Sequence, residues 1–169
     1  MESMTLEQAY FAAQILGVLA VIWSLIYVGI QLKQTKQAIR LSMVESVIQQ
    51  FREHEALVCQ SADVAEILWK GMRDPTTLEG PDRMRFYQLC NYYYKSFENA
   101  YFKYRDGALS GDNWVSIKHF FIDIGHLPGM RKYWDDRKHW FGADFQEMMA
   151  REIISAHPHP GYKFSGEPD

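Results

Sequence analysis

The chain has 169 residues, a net charge of -3 and 47% hydrophobic residues, values that fit one folded domain of ordinary composition. This weak negative charge argues against nucleic acid as a partner, because binding to phosphates requires an excess of Lys and Arg. The two cysteines, Cys59 and Cys90, lack CxxC spacing and histidine partners, so they give no reason to expect a disulfide or a zinc site.

The segment from Gln8 to Leu32 contains no Asp, Glu, Lys, Arg or His and is mostly apolar. About 20 helical residues cross the hydrocarbon core of a bilayer, so this segment predicts a transmembrane anchor over residues 1–32. A secretory signal peptide is the alternative. No basic region precedes the apolar run, no small-residue cleavage site follows it, and the run is longer than the usual 7 to 15 residues or so.

The positive charges of the chain all follow the predicted anchor, beginning with Lys33, Lys36, Arg40 and Arg52. Basic residues next to a membrane span stay on the cytoplasmic side. We therefore expect a single-pass protein of the inner (cytoplasmic) membrane, with the N-terminus outside and the remaining domain in the cytoplasm.

Small and polar residues recur along one side of the predicted span, at the spacing of an α-helix. They are Ala13, Gly17, Ala20, Ser24, Tyr27 and Gln31. Such residues allow close helix packing and interhelical hydrogen bonds in lipid, so this stripe is a candidate contact face or the lining of a pore. The alternative is that Gly and Ala are simply frequent in membrane helices.

The helix is predicted to continue past the membrane, because neither Gly nor Pro interrupts the chain between Ile30 and Gly71. Its apolar face toward the domain is predicted from residues three and four apart, namely Leu41, Val44, Ile48, Phe51 and Val58. After a break at Ser61 to Asp63, a capping box of Asp63 and Glu66 predicts a short helix that ends near Gly71.

The longest helix of the domain is predicted to open at Gly80-Pro81 and to end at Gly107. One side of it carries aromatic residues and a cysteine at helical spacing, namely Tyr87, Cys90, Tyr94, Phe97, Tyr101 and Tyr104. Since each aromatic side chain buries about 150 to 250 Å², we expect the other helices to pack around this one.

Three further helices are predicted: one capped by Ser110, one carrying Met130 to Phe141, and one after Gly142. The Pro- and Gly-rich residues 157–169 predict a flexible tail. The expected fold is therefore all-α, with one N-terminal transmembrane helix that continues into a bundle of about five or six helices. The cytoplasmic domain is assigned to residues 33–156.

Candidate chemistry is sparse in this sequence. His119 and Asp123 lie four residues apart and share a helix face, yet such a pair is also an ordinary surface pair, and no third ligand completes a metal site. Glu98 lies beside the aromatic face and is a candidate buried carboxylate, for which pairing with an Arg or with Tyr hydroxyls is favoured over catalysis. No catalytic residue, metal or cofactor is predicted.

The segment Arg131 to Trp140 mixes cations with aromatic residues, a pattern found on nucleic-acid surfaces and on membrane-interface helices. Asp135 and Asp136 reduce the local positive charge, which again disfavours nucleic acid. A helix near the anionic inner leaflet and a core helix with solvated charges are the two interpretations that stay open.

Three stretches carry a resemblance to known proteins: LGVLAVIWSLIYVGIQLKQTKQAIR, residues Glu98 to Trp114, and PGMRKYWDDRKHWFGADF. Together they resemble a group of small uncharacterised bacterial membrane proteins that have one N-terminal span and a helical cytoplasmic domain. The similarity covers most of the chain up to about Ile154. It implies the topology and no activity.

The leading functional hypothesis is a non-enzymatic, membrane-anchored scaffold or adaptor. It would contact the lipid bilayer and either self-associate as a homo-oligomer or dock onto another membrane protein through the stripe. A homo-oligomeric channel or pore formed by the N-terminal helix is the alternative. A membrane-tethered enzyme that uses Glu98 or the pair His119/Asp123 is the weaker third hypothesis.

Overall fold

The computed structural model describes residues 6–162, apart from the side chains of residues 8, 9, 12 and 13. The structure is 86% helical, and no strand occurs in the part that is described. The predicted all-α fold is confirmed. The helices are α1 (Leu6–Gln60), α2 (Ala62–Arg73), α3 (Gly80–Arg105), α4 (Gly111–Gly125), α5 (Pro128–Arg137) and α6 (Ala143–Met148). Short 3-10 turns cover Pro75–Thr77 and Lys138–Trp140, and a π-helical segment, Met149–Ile154, follows α6.

The chain divides into two compact units, Met1–Ser42 and Met43–Asp169. The first unit contains the N-terminal part of α1, which is long and apolar enough to cross a membrane. Every described side chain from Leu6 to Ser42 is exposed. This unit therefore has no apolar core of its own.

The core of the second unit is built around α3, as predicted. The ring of Phe97 is fully buried and stacks on Phe121, with centroids 4.0 Å apart, and on Trp114, with centroids 5.3 Å apart. Tyr94 is also fully buried, and its hydroxyl donates a hydrogen bond of 3.1 Å to the carbonyl of Met130. Trp134 of α5 stacks on Tyr94 and Phe145 of α6 contacts Phe97 edge-on, so aromatic rings from α4, α5 and α6 all contact α3.

The part of α1 from Met43 onward packs against the core with a face that shares three of its residues with the predicted one. Val47 and His54 are buried, whereas Leu41 and Ile48 are exposed. The prediction was wrong for these two residues because Leu41 precedes the second unit and Ile48 points about 100° away from Val47 on the helix. Val44, Phe51 and Val58 pack against the core as predicted.

Polar contacts also fasten α1 to α3. The Tyr92 hydroxyl donates to the carbonyl of Gln50 at 2.8 Å, and the Asn99 side chain donates to the Gln50 side chain at 3.0 Å. Lys103 donates to the Ser46 hydroxyl and, at 3.3 Å, to the carbonyl of Met43. These bonds fix the register between the two helices.

Helix α2 begins one residue after Ser61, whose hydroxyl accepts a hydrogen bond from the Val64 amide at 3.4 Å. The predicted capping box of Asp63 and Glu66 was therefore wrong. Ser61 has the extended backbone of a cap, while Asp63 already lies inside the helix and Glu66 pairs with Lys70 at 2.6 Å.

Helix α2 also extends past Gly71, which is a packing residue rather than a terminator. A Cβ atom at Gly71 would lie 2.3 Å from the Phe86 ring, and one at Gly129 would lie 1.9 Å from the Gly71 carbonyl oxygen. The two glycines thus let α2, α3 and α5 approach closely. By contrast, Gly107, with φ +72°, follows the end of α3, and the Ser110 hydroxyl caps α4, as predicted for both.

The described residues that follow the π-helical segment pack against the rest of the second unit. The backbone amide of His159 donates to Asp123 at 2.8 Å, and Tyr162 packs against the core. Residues 163–169, the rest of the predicted tail, lie outside the described residues.

Candidate functional site

The small and polar stripe of α1 is exposed throughout its described part. This holds for Gly17, Ala20, Ser24, Tyr27 and Gln31, while the side chain of Ala13 lies outside the described residues. A Cβ atom at Gly17 would meet no atom within 4 Å. The stripe thus leaves room for a second helix, and its role as a contact or pore face stays a prediction.

Glu98 holds two elements of the domain together. Its Oε1 accepts a hydrogen bond from the Gly142 amide at 2.9 Å, and its Oε2 accepts one from Lys95 at 2.8 Å. Lys95 also donates to the carbonyl of Trp140 at 3.1 Å and lies 4.3 Å from the centroid of the Phe141 ring.

The Glu98 side chain is 13% exposed, so burial is substantial. The sequence predicted an Arg or a Tyr as the partner of Glu98. Its partners are instead Lys95, on the same helix, and the backbone amide of Gly142. Oε1 connects α3 to the start of α6 through Gly142, and Oε2 pairs with Lys95 within α3. This arrangement indicates a structural role for Glu98.

His119 and Asp123 line a cavity of about 480 Å³ together with the segment His157 to Pro160. This cavity does not include Glu98. His119 is exposed, and Asp123 already accepts the His159 amide. In the described part of the chain, no group of three or more His, Cys, Asp or Glu residues is arranged to hold a metal ion. The catalytic role considered for His119 and Asp123 stays a prediction.

The segment Arg131 to Trp140 divides its residues between core and surface. Tyr133 and Trp134 are buried in the aromatic core. Asp136 accepts hydrogen bonds of 2.7 Å from both Lys132 and Tyr87, and these bonds lower the pKa of its carboxyl group. Tyr133 and Trp134 thus contribute to the core. The carboxylate of Asp136 neutralises part of the positive charge of this segment by pairing with Lys132.

A second cavity, of about 540 Å³, lies among the second-unit part of α1, α2 and α3. Its apolar wall includes Leu57, Val64, Ile67 and Leu89. We name it the His54 cavity, because His54 is its one histidine. No pattern in the sequence predicted this site.

His54 is only 2% exposed, and its Nε2 atom has no hydrogen-bond partner in the described structure. The ring is stacked on Tyr92, with centroids 5.1 Å apart, and is tilted against Tyr93, with centroids 3.7 Å apart. Burial lowers the pKa of His54 to about 4, so the imidazole is neutral at pH 7. The burial of His54, though not the cavity, had a signal in the sequence, since His54 lies seven residues after Val47 and three after Phe51, at the spacing of a buried helix face.

Comparisons with protein-family models, with curated proteins and with solved structures found no match to this chain. The resemblance to bacterial single-span proteins therefore stays a prediction. What the chain does must be inferred from its own residues.

Proposed function

We propose that this protein is a non-enzymatic scaffold or adaptor, anchored in a membrane by the N-terminal part of α1, which self-associates or docks onto a membrane partner. The observation that carries the proposal is the exposure of every described side chain from Leu6 to Ser42, most of them apolar as far as Leu32. Burying one large apolar side chain is worth about 1.5 to 3 kcal/mol, so a helix that exposes many such side chains and no charge between Gln8 and Leu32 favours lipid or protein around it.

The charges that follow the apolar segment support an orientation. Lys33, Lys36 and Arg40 come directly after Leu32, and only acidic charges, Glu2 and Glu7, precede the apolar run. By the positive-inside rule, the second unit would lie in the cytoplasm and the N-terminus outside, in the inner membrane of a bacterium.

Self-association is proposed through the stripe of small and polar residues. Gly17 and Ala20 would allow two helices to approach closely, and Ser24 and Gln31 would form hydrogen bonds between them. The opposite side, with Ile15, Leu19, Ile22 and Ile26, would face lipid. A second copy of the chain offers the same stripe, which makes a symmetric dimer the simplest assembly.

Disulfide crosslinking in native membranes tests this face. In full-length protein that carries Cys59→Ser, a Ser24→Cys variant is compared with an Ile22→Cys variant, which lies about 200° away on the helix. The second native cysteine, Cys90, is buried and should not react. We expect a crosslinked dimer for Ser24→Cys and none for Ile22→Cys.

Equal crosslinking of both variants would mean random collision, and no crosslinking of either would contradict self-association through the stripe. If only Ile22→Cys forms the dimer, the assignment of the two faces is reversed. If Ser24→Cys instead crosslinks to another membrane protein, the docking form of the proposal is supported.

A pore is the second candidate, favoured by the polar groups of Ser24, Tyr27 and Gln31 on the same stripe. Reconstitution of the full chain into vesicles with an ion-flux assay separates the two functions. A conductance that is lost in Ser24→Leu would support the pore, and no conductance leaves the scaffold or adaptor. An enzyme is the least favoured function, because both carboxylate oxygens of Glu98 are engaged in hydrogen bonds and Asp123 already accepts the backbone amide of His159.

A further inference from the structure

We propose that the His54 cavity binds an uncharged, mainly apolar small molecule that carries a hydroxyl group, with His54 as its polar contact. The site lies wholly within the second unit, between residues 53 and 92. It is independent of the way in which the anchor associates, so it goes beyond the function proposed above.

The size and lining of the cavity fit a ligand of this kind. Its volume of about 540 Å³ lies within the range of about 300 to 1,000 Å³ that is usual for small-molecule sites. Two apolar side chains that line it are strongly exposed, Leu57 at 49% and Met84 at 64%. An apolar occupant would cover both of them, which favours binding.

His54 supplies the reason for a hydroxyl group on the ligand. A buried polar atom normally has a hydrogen-bond partner, and the Nε2 atom of His54 has none. A neutral imidazole either donates or accepts at Nε2, depending on its tautomer, and a hydroxyl group can serve both. Because the Nε2 atom is covered in the present structure, a neighbouring group must move before the ligand can reach it.

The charges around the cavity indicate that the ligand is uncharged. Glu53 and Asp63 contribute two carboxylates, and Arg85 contributes one guanidinium group. An acid would meet net negative charge at this site and a neutral histidine inside it. A cation would have to leave water for the apolar wall of Val64, Ile67 and Leu89, without a buried carboxylate to pair with.

Equilibrium dialysis of the full chain in detergent micelles, at pH 7 and against protein-free micelles, tests the proposal. The probes are 2-naphthol, naphthalene and 2-naphthoate, which share one ring system and differ in the polar group. We expect 2-naphthol to bind about tenfold more tightly than either of the other two, the effect of one hydrogen bond to a buried group. Naphthalene is the more apolar molecule, so hydrophobicity alone would reverse this preference.

Two histidine variants show whether the preference depends on His54. In His54→Phe, which keeps a ring in place but removes the nitrogen atoms, 2-naphthol should lose its advantage over naphthalene. In His139→Phe, the matched control at an exposed histidine, the advantage should remain. Equal binding of 2-naphthol and naphthalene to the native chain, or an unchanged preference in His54→Phe, would overturn the proposal.

A measurement on the native chain covers the case in which His54→Phe does not fold. With ¹⁵N-labelled histidine, 2-naphthol should shift the Nε2 resonance of His54 and leave the other five histidines unchanged. No shift at His54 would contradict the proposal. Failure of 2-naphthol to bind, together with binding of an amphipathic peptide, would show a protein-docking groove and would also refute it.

Discussion

The two units of this chain treat apolar side chains in opposite ways. Between Leu6 and Ser42 every described side chain is exposed, including Trp23 and Ile26. In the second unit, residues of the same types are buried against one another, and Trp114 and Ile153 are each at most 4% exposed. Both units are rich in large apolar residues, but charged residues are much rarer in the first unit.

The difference lies in where the polar residues are. In the second unit, charged and polar residues alternate with apolar ones, so each helix has one side for the core and one for water. In the first unit, no charged residue lies between Glu7 and Lys33, so no side of that helix is suited to water. The comparison teaches that the distribution of charged residues along the chain, and not the presence of large apolar ones, distinguishes the folded second unit from the segment that could cross a membrane.

Truncation of the central aromatic ring should give the largest change in stability. Phe97→Ala is expected to lower the free energy of unfolding by about 3 to 5 kcal/mol, because it leaves a cavity between Phe121 and Trp114. Chemical denaturation of the detergent-solubilised chain, followed by near-ultraviolet circular dichroism, measures this change.

Val115→Ala is the matched control, since it truncates an exposed apolar residue of α4 and should change the stability by no more than about 0.5 kcal/mol. Lys95, although exposed and close to Phe97 in sequence, is less suitable as a control because its side chain contacts Glu98, Trp140 and Phe141. If Phe97→Ala unfolded like the native chain, the second unit would lack the core that sets it apart from the first.

Acid should weaken the second unit through His54. Its pKa is near 4 in the folded state and 6.5 when unperturbed, so the unfolded chain binds a proton at pH values where the folded chain does not. The free energy of unfolding should therefore fall as the pH drops from 7, by about 2 to 3 kcal/mol at pH 4.5.

His54→Phe should remove this part of the pH dependence and leave the part at lower pH. Asp136 and Glu152 have pKa values lowered by their hydrogen bonds, so their stabilisation is lost only as the pH falls through the range in which carboxylates titrate. Identical slopes between pH 7 and 4.5 in His54→Phe and the native chain would refute the assignment to His54.

Removal of the Glu98 carboxylate should have a smaller effect. In Glu98→Ala the amide of Gly142 loses its acceptor, and we expect a cost of about 1 to 2 kcal/mol. Denaturation under the same conditions measures it, with Glu147→Ala, an exposed carboxylate of α6, as the control. A loss no larger than that of the control would show that the bond to Gly142 contributes nothing to stability.

The smallest effect is expected at the start of α2. Ser61→Ala should cost about 1 kcal/mol, because the hydroxyl accepts the amide of Val64. Asp63→Ala removes the residue that the sequence pattern favoured as the cap, and it should cost less than Ser61→Ala. If denaturation showed a larger loss of stability for Asp63→Ala than for Ser61→Ala, Asp63 would be the cap, as the sequence pattern predicted.

Much of the fold was predictable because its signals are local. The end of α3 at Gly107 and the cap at Ser110 depend on residue types that serve those positions in most helices. The central place of α3 followed from the size of its aromatic face. These features need no knowledge of what packs against them.

Other features depend on tertiary contacts that a sequence pattern does not specify. Val47 and Ile48 are both apolar and lie four and three residues before Phe51, so helical spacing alone does not decide which of them is buried. Ser61 and Asp63 are both good caps, and the backbone conformation selects between them. The His54 cavity forms where α1, α2 and α3 meet. A motif within one segment therefore could not predict it.

A pair of reporter fusions after Asp169 tests most directly the claim that the first unit is a membrane anchor with the second unit on the cytoplasmic side. One reporter is an enzyme that is active only in the cytoplasm, and the other is active only outside it. We expect activity from the cytoplasmic reporter in the membrane fraction and none from the other. The reverse pattern would contradict the orientation, and activity released into the soluble fraction outside would show that the first unit is a cleaved signal peptide.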